Sequence, residues 1–368
     1  MKTCVFFVSG HGFGHASREV EVINALAGQG RGPRVIVRSD VAPDLLARTV
    51  TVPYELRRGA CDPGIVQSSS LAHDDEATVR AALDFYSTFA NRISAEAAAL
   101  AGDDVALVVG DIPPLAFEVA ARLGVPGVAI GNFSWTWIYE ANDRFMRGAA
   151  SLLPRMRDAY AKATLALELP FAGGFDVFPT VRRVPLIARR PTRDRRSTRA
   201  HFDLPLDRPV ALLSFGGYGL GALDVDRLDC LDTWTIATTD RSAPGGPARG
   251  RAVVVPEDAF RGSGFRYEDL VAAVDVVVTK PGYGIIAECI ASGTAMLYTS
   301  RGDFREYDLL VGQFPDYVKS QFISQDDLFA GRWRAPLDGL VAQPAPAKHM
   351  ATHGAEVVAG LLREAMSV

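Results

Sequence analysis

Short runs of apolar, mostly β-branched residues recur along this chain, each followed by a longer stretch whose apolar residues return every three or four positions. Val5 to Val8 leads into an amphipathic segment from about Ala16 to Ala27, and Val35 to Arg38 comes next. A long helical stretch spans Leu71 to Leu100. The run Val105 to Val109 then precedes a helix from Pro114 to Leu123, and Val125 to Ile130 follows it. This alternation is the pattern of βαβ units. The strands lack polar alternation, as strands do in a parallel sheet that helices cover on both faces.

A second series begins with Val210 to Ser214 and continues through Trp234 to Thr238, Ala252 to Val255, Val274 to Thr279 and Ala295 to Thr299. Two Rossmann-like units in tandem are expected, which suits 368 residues, more than one hydrophobic core ordinarily serves. Between about Glu168 and Pro209 the periodicity fails, and Gly173, Gly174, Pro179, Pro185, Pro191, Pro205 and Pro209 interrupt the chain. The predicted organisation is a first domain over residues 1–168, an Arg/Pro-rich connection over 169–208, a second domain over 209–345 and a C-terminal helical segment over 346–368. The connection holds eight arginines between Arg182 and Arg199. They read as a solvated face, with an anionic-ligand or membrane-surface patch as the alternative.

Composition narrows the function classes. A net charge of −4 argues against nucleic acid as the main partner, which usually demands a basic surface. Cys4, Cys61, Cys230 and Cys289 are scattered and form no CxxC pair, so neither a zinc cage nor a disulfide framework is suggested. The opening apolar run is too short for a signal peptide, and no stretch approaches the ~20 apolar residues of a membrane span. A cytoplasmic location is the expectation, with peripheral membrane contact left open by the arginines.

Glycine-rich turns between strand and helix hold the candidate chemistry. In Ser9-Gly10-His11-Gly12-Phe13-Gly14-His15 the glycines let backbone approach a ligand, and the following helix presents unpaired amides. Imidazole exchanges protons near neutral pH, so His15 is a candidate base, with a turn or capping histidine as the alternative. Asp111 ends the run Val105 to Val109 just before a helix, where open parallel sheets gather ligands, although an N-cap carboxylate explains it equally. Strands one and four are neighbours in the usual order, which would bring Asp111 and His15 to one edge. Gly216 and Gly217, in Ser214-Phe215-Gly216-Gly217, can offer amides to a phosphate. The most specific stretch runs from Asp275 through Lys280-Pro281-Gly282-Tyr283-Gly284 to Glu288, where the carboxylate suits a ribose or simply a helix's first turns. Arg301 to Asp308, including Arg305 and Glu306, offers polar groups at the height of a sugar ring, or forms a solvated loop.

On these residues the chain resembles GT-B glycosyltransferases of the MurG and UDP-glycosyltransferase type. SGHGFGHASR together with KPGYG is especially similar to the glycosyltransferase-like N-terminal portion of plant arabinokinases and related bacterial proteins. The resemblance implies an α/β fold of two Rossmann-like domains facing across a cleft, with an acceptor domain first, a nucleotide-sugar domain second and a C-terminal helix packing back toward the first. It implies His15 as the general base, oriented by Asp111, with His11, Gly12 and Gly14 completing the first loop. Donor contacts would come from Gly216, Gly217, Lys280, Gly282, Tyr283, Gly284, Glu288, Arg305 and Glu306. Arg305 and Glu306 stand where the family has a glutamine pair, and Ala287 where it has threonine or serine. The kinase half of arabinokinases has no counterpart here, so sugar phosphorylation is not expected. The implied activity is inverting, metal-independent transfer from a nucleotide-diphosphate sugar, with UDP the expected nucleotide, to an acceptor hydroxyl. No cofactor is expected beyond that donor substrate. A UDP-sugar epimerase of the same fold and a noncatalytic sugar-nucleotide-binding protein are the alternatives.

Overall fold

A computed structural model describes the chain except residues 29–31, 70, 217–219, 221, 222, 240–251 and 368, and the side chains of 12, 13 and 257. It divides into two compact units. The first comprises Met1–Ser68, His73–Ala188 and Ala351–Val368, and the second Ser69–Ala72 and Arg189–Met350.

The sheet of the first unit is built from β1 (Thr3–Val8), β2 (Arg34–Ser39), β3 (Glu55–Arg58), β4 (Val105–Asp111), β5 (Gly127–Phe133), β6 (Leu165–Gly173) and β7 (Val181–Arg183). Its order is β3-β2-β1-β4-β5-β6-β7, and neighbouring strands pair in parallel. All six residues of β1 are buried, which is why it shows no polar alternation. Cys4, Phe6 and Val8 share a core with Val20, Ile23 and Leu26 of the first helix, Gly12–Ala27, and with Val358 and Leu362 of the closing helix, Gly354–Ser367. Helix ends leave carbonyls without intrahelical donors. Arg363 serves the first helix by donating to the Ala25 and Leu26 carbonyls at 2.7 and 3.0 Å, and Lys2 serves the closing helix at the Met366 carbonyl, 2.7 Å away.

Three segments depart from the sequence pattern for identifiable reasons. The stretch Leu71 to Leu100 holds two helices, Asp75–Ser87 and Phe89–Leu100, which meet at Thr88. There Ser87 and Thr88 turn their hydroxyls onto the carbonyls of Asp84 and Phe85, a local alternative to helical bonding. β3 escapes an apolar search because it is an edge strand whose Glu55 and Arg57 pair with Arg34 and Asp103. Residues 169–208 carry the end of β6, β7 and the helix Arg195–His201. Gly173 and Gly174 are required by close packing, because a Cβ at either would meet the Trp137 side chain at 2.5 or 2.1 Å.

The second sheet contains β8 (Val210–Ser214), β9 (Thr235–Thr238), β10 (Ala252–Val254), β11 (Val276–Thr279), β12 (Ala295–Tyr298) and β13 (Ser320–Phe322). Its strands are also parallel, in the order β10-β9-β8-β11-β12-β13. Trp234 and Trp333 anchor its core, and both buried indole N–H groups are satisfied, by Asp338 at 2.8 Å and by the Leu328 carbonyl at 2.9 Å. Strand order reverses between β1 and β4 in one sheet and between β8 and β11 in the other. In open parallel sheets that reversal opens a crevice at the carboxyl ends of the strands.

Candidate functional site

The first reversal point brings His15 and Asp111 together. β1 and β4 pair so that Val8 lies opposite Asp111, and the Ser9 amide donates to the Asp111 carbonyl at 2.9 Å. The chain then turns through His11, which occupies the N-cap of the first helix, and His15 lies one turn into that helix. His15 Nδ1 is 2.8 Å from Asp111 Oδ1. The His15 side chain keeps 12% of its surface exposed while that of Asp111 keeps none, so the carboxylate faces inward and the imidazole outward.

Arg18 completes this cluster. Its Nε and Nη2 reach the two oxygens of Asp111 at 3.0 and 2.5 Å, and its Nη1 donates to Asn132 Oδ1. Burial pushes the Asp111 carboxyl upward, but Arg18 and then His15 outweigh it and hold the group below its ordinary range. The spacing of three residues from His15 to Arg18 is that of neighbours on one helix face. That spacing could have singled out Arg18; nothing local points to Asn132.

A second imidazole–carboxylate pair lies beside the first. His11 Nε2 is 3.6 Å from Asp62 Oδ1, and the buried Asp62 also accepts from Ser9 Oγ at 3.0 Å and Trp135 Nε1 at 2.9 Å. Burial lowers the His11 ring despite Asp62, and burial raises Asp62. Gly64, at φ +53°, lies so close that a Cβ there would fall 1.8 Å from the His11 ring, so His11 is seated against the segment after β3. Trp135 has both rings as neighbours, with centroids at 6.0 Å for His11 and 6.1 Å for His15, and Phe133 meets His15 edge-on at 5.6 Å. Phe133, Trp135 and Tyr139 are buried and belong to the core that supports the site. Gly12 opens the helix, and a Cβ at Gly14 would meet nothing within 4 Å.

The corresponding edge of the second sheet holds the other glycine turns. Thr279 Oγ1 donates to the Ser214 carbonyl at 2.6 Å, tying the ends of β11 and β8. Gly216 has φ +70°, and Gly217 lies outside the described residues. Lys280 follows β11, Gly282 is the N-cap of the helix Tyr283–Ser292, and Gly284 lies in its first turn. Gly282 has no side chain to cap that N-terminus, and a Cβ there would meet nothing within 4 Å, which leaves room beside a helix start of the kind that binds anions. Burial, assisted by Arg301 and opposed by Glu306, brings Lys280 down to about 7. Glu306 begins the helix Glu306–Val311 and accepts from Arg301 at 3.1 Å, and Arg305 precedes it.

Glu288 is only 3% exposed, and Arg189 Nε donates to its Oε1 at 2.8 Å, with Glu268 3.5 Å from the same guanidinium. The arginine-rich stretch therefore divides. Arg182 and Arg183 are exposed on the edge strand β7, whereas Arg189 is ion-paired. Arg199 is buried and donates to Asp275 and three carbonyls. Among the described residues no group of three or more His, Cys, Asp or Glu side chains is placed to hold a metal ion, and no helix is long and apolar enough to cross a membrane.

No protein-family model matches the chain. The L-arabinokinase of Arabidopsis thaliana is 26% identical over 372 residues, a match spanning 98% of this chain and 34% of the plant protein, so the chain spans about a third of that relative's length. The solved glycotransferase of kitacinnamycin superposes with a TM-score of 0.66 at 20% identity, covering 99% of this chain and 98% of its own. The calicheamicin glycosyltransferase CalG4 gives 0.62 at 15%, covering 100% and 98%. A UDP-glucose:anthocyanidin 3-O-glucosyltransferase in complex with UDP gives 0.64 at 14%, covering 100% and 99%. At such identities the likeness is one of fold. With its two parallel-sheet α/β units, the chain has the GT-B fold and resembles glycosyltransferases that share it.

Proposed function

We propose that the protein is a glycosyltransferase, moving a sugar from a nucleotide-diphosphate donor, UDP-linked in the first instance, to an acceptor hydroxyl with inversion at the anomeric carbon. The observation that carries this reading is the 2.8 Å contact between His15 Nδ1 and Asp111 Oδ1 at the strand-order reversal. A carboxylate on Nδ1 keeps the proton there and leaves Nε2 as the acceptor. Nε2 takes the acceptor's proton as its oxygen attacks the anomeric carbon and the bond to the nucleotide diphosphate breaks.

The second unit supplies the donor contacts in this reading. Amides around Gly216 and Gly282–Gly284, with Lys280, suit the two phosphates, and the stabilisation of developing charge by fixed dipoles replaces a metal or other cofactor. Glu288 serves the ribose through a carboxylate that Arg189 already orients. Arg305 and Glu306 are assigned to the sugar.

The test follows nucleotide release from a panel of nucleotide-diphosphate sugars, with and without hydroxylated acceptors. In His15→Ala, turnover falls by about 10²- to 10⁴-fold while donor affinity is unchanged. Native turnover in that variant removes His15 from the reaction. An altered sugar still attached to its nucleotide, with no release, replaces transfer by epimerisation.

A further inference from the structure

Asp111 is shared between two side chains of the first helix, and the second has no assigned role. Arg18 places two nitrogens on the two oxygens of Asp111, at 3.0 and 2.5 Å, and a third on Asn132. Asn132 is itself fixed, donating from Nδ2 to the Pro170 carbonyl at 2.7 Å. Arg18 Nη2 lies 3.4 Å from His15 Nδ1, too close for the imidazole to ignore its charge. We propose that Arg18 is a positioning residue of the His15–Asp111 pair, holding Asp111 as an anion and offsetting the pull of that anion on the His15 proton.

The argument is one of charge. A buried carboxylate alone beside an imidazole favours the imidazolium, and a base already protonated cannot accept a proton. With Arg18 present, the cluster of neutral His15, anionic Asp111 and cationic Arg18 is neutral. Proton uptake then creates a net positive charge in a largely buried place. Other titratable and aromatic groups also face His15. His11 and Asp62 interact with it from the helix N-cap and from the segment after β3. Phe133 and Trp135 present rings. Burial and then the Asp111 charge raise the carboxyl of Glu19, 1% exposed, well above its ordinary range, and Arg18, 3.9 Å away, opposes them.

The first readout does not depend on the proposed reaction. The ring signals of His15, identified by their loss in His15→Gln, are followed by NMR across pH in the full chain. In Arg18→Gln the titration midpoint rises by about one pH unit, the scale expected when one neighbouring charge is removed. Arg18→Lys, which keeps the charge, stays within about 0.3 pH units of the native protein. An unchanged or lower midpoint in Arg18→Gln overturns the proposal. Should Arg18→Gln not fold, Asn132→Ala, which removes one anchor of the guanidinium, is read the same way: a smaller upward shift supports the role and none overturns it. The second readout rests on the proposed function: the acid limb of turnover moves with the ring titration. A shifted ring with a fixed acid limb leaves the role of Arg18 in place and removes His15 as the base.

Discussion

Lys280 sits half-buried just beyond β11, where burial and the neighbouring Arg301 make its ammonium costly, and Glu306 offsets only part of that cost. Its titration near 7 places the charge change within the working range of an enzyme. The ammonium is present below that value and is lost above it, so an anionic diphosphate bound there as proposed would be held more tightly on the acid side. Calorimetric titration with a nucleoside diphosphate should give a dissociation constant several-fold lower at pH 6 than at pH 8, with net proton uptake on binding at pH 7 to 8. In Lys280→Gln the constant should no longer vary in this way. Equal pH dependence in the variant would show that another group is responsible. Burial pulls the Arg189 guanidinium down as well, but there Glu288 and then Glu268 outweigh it and raise the group.

The elements owe their stability to faces more than to propensity. The closing helix buries Ala355, Val358, Ala359, Leu361, Leu362 and Met366 in the core of the first unit, and its partner is the first helix, which carries His15 and Arg18. Leu362→Ala leaves a cavity at a fully buried position and should cost about 2–5 kcal/mol, read as a lower urea midpoint with unchanged slope. A cost near zero would mean that the helix does not hold the first helix in place. Elements legible in the sequence are those whose burial is two-sided. β1, β4 and β8 announce themselves by unbroken apolar runs, while β3, β7 and β13 lie at sheet edges and carry charges or polar groups. The break at Thr88 depends on hydroxyl-to-carbonyl bonds that an apolar periodicity does not register.

At the scale of the molecule, each unit has its own sheet and its own tryptophan- or phenylalanine-rich core, so each is expected to open as a cooperative block. A ligand that binds one block stabilises that block by mass action, about 2.7 kcal/mol at a hundred times its dissociation constant. Hydrogen exchange with a saturating nucleotide should therefore slow by about 100-fold in β8 and β11 and much less in β1 and β4. Equal slowing in both sheets, or slowing confined to the first, would place the nucleotide elsewhere. The sequence alone determined that there are two parallel sheets and that glycine turns follow β1, β8 and β11, because apolar periodicity and glycine placement are local properties of the chain. It also put His15 and Asp111 at the ends of strands that neighbour one another in the usual order. Only the tertiary structure decided that Arg18 lies on Asp111, 93 residues away, that Asp62 accepts from Trp135, 73 residues away, and that Arg189 lies on Glu288, 99 residues away. Two of those contacts join opposite charges and the third gives a buried carboxylate a donor, and the energy of each depends on distance and burial in space, which no local pattern of residues encodes.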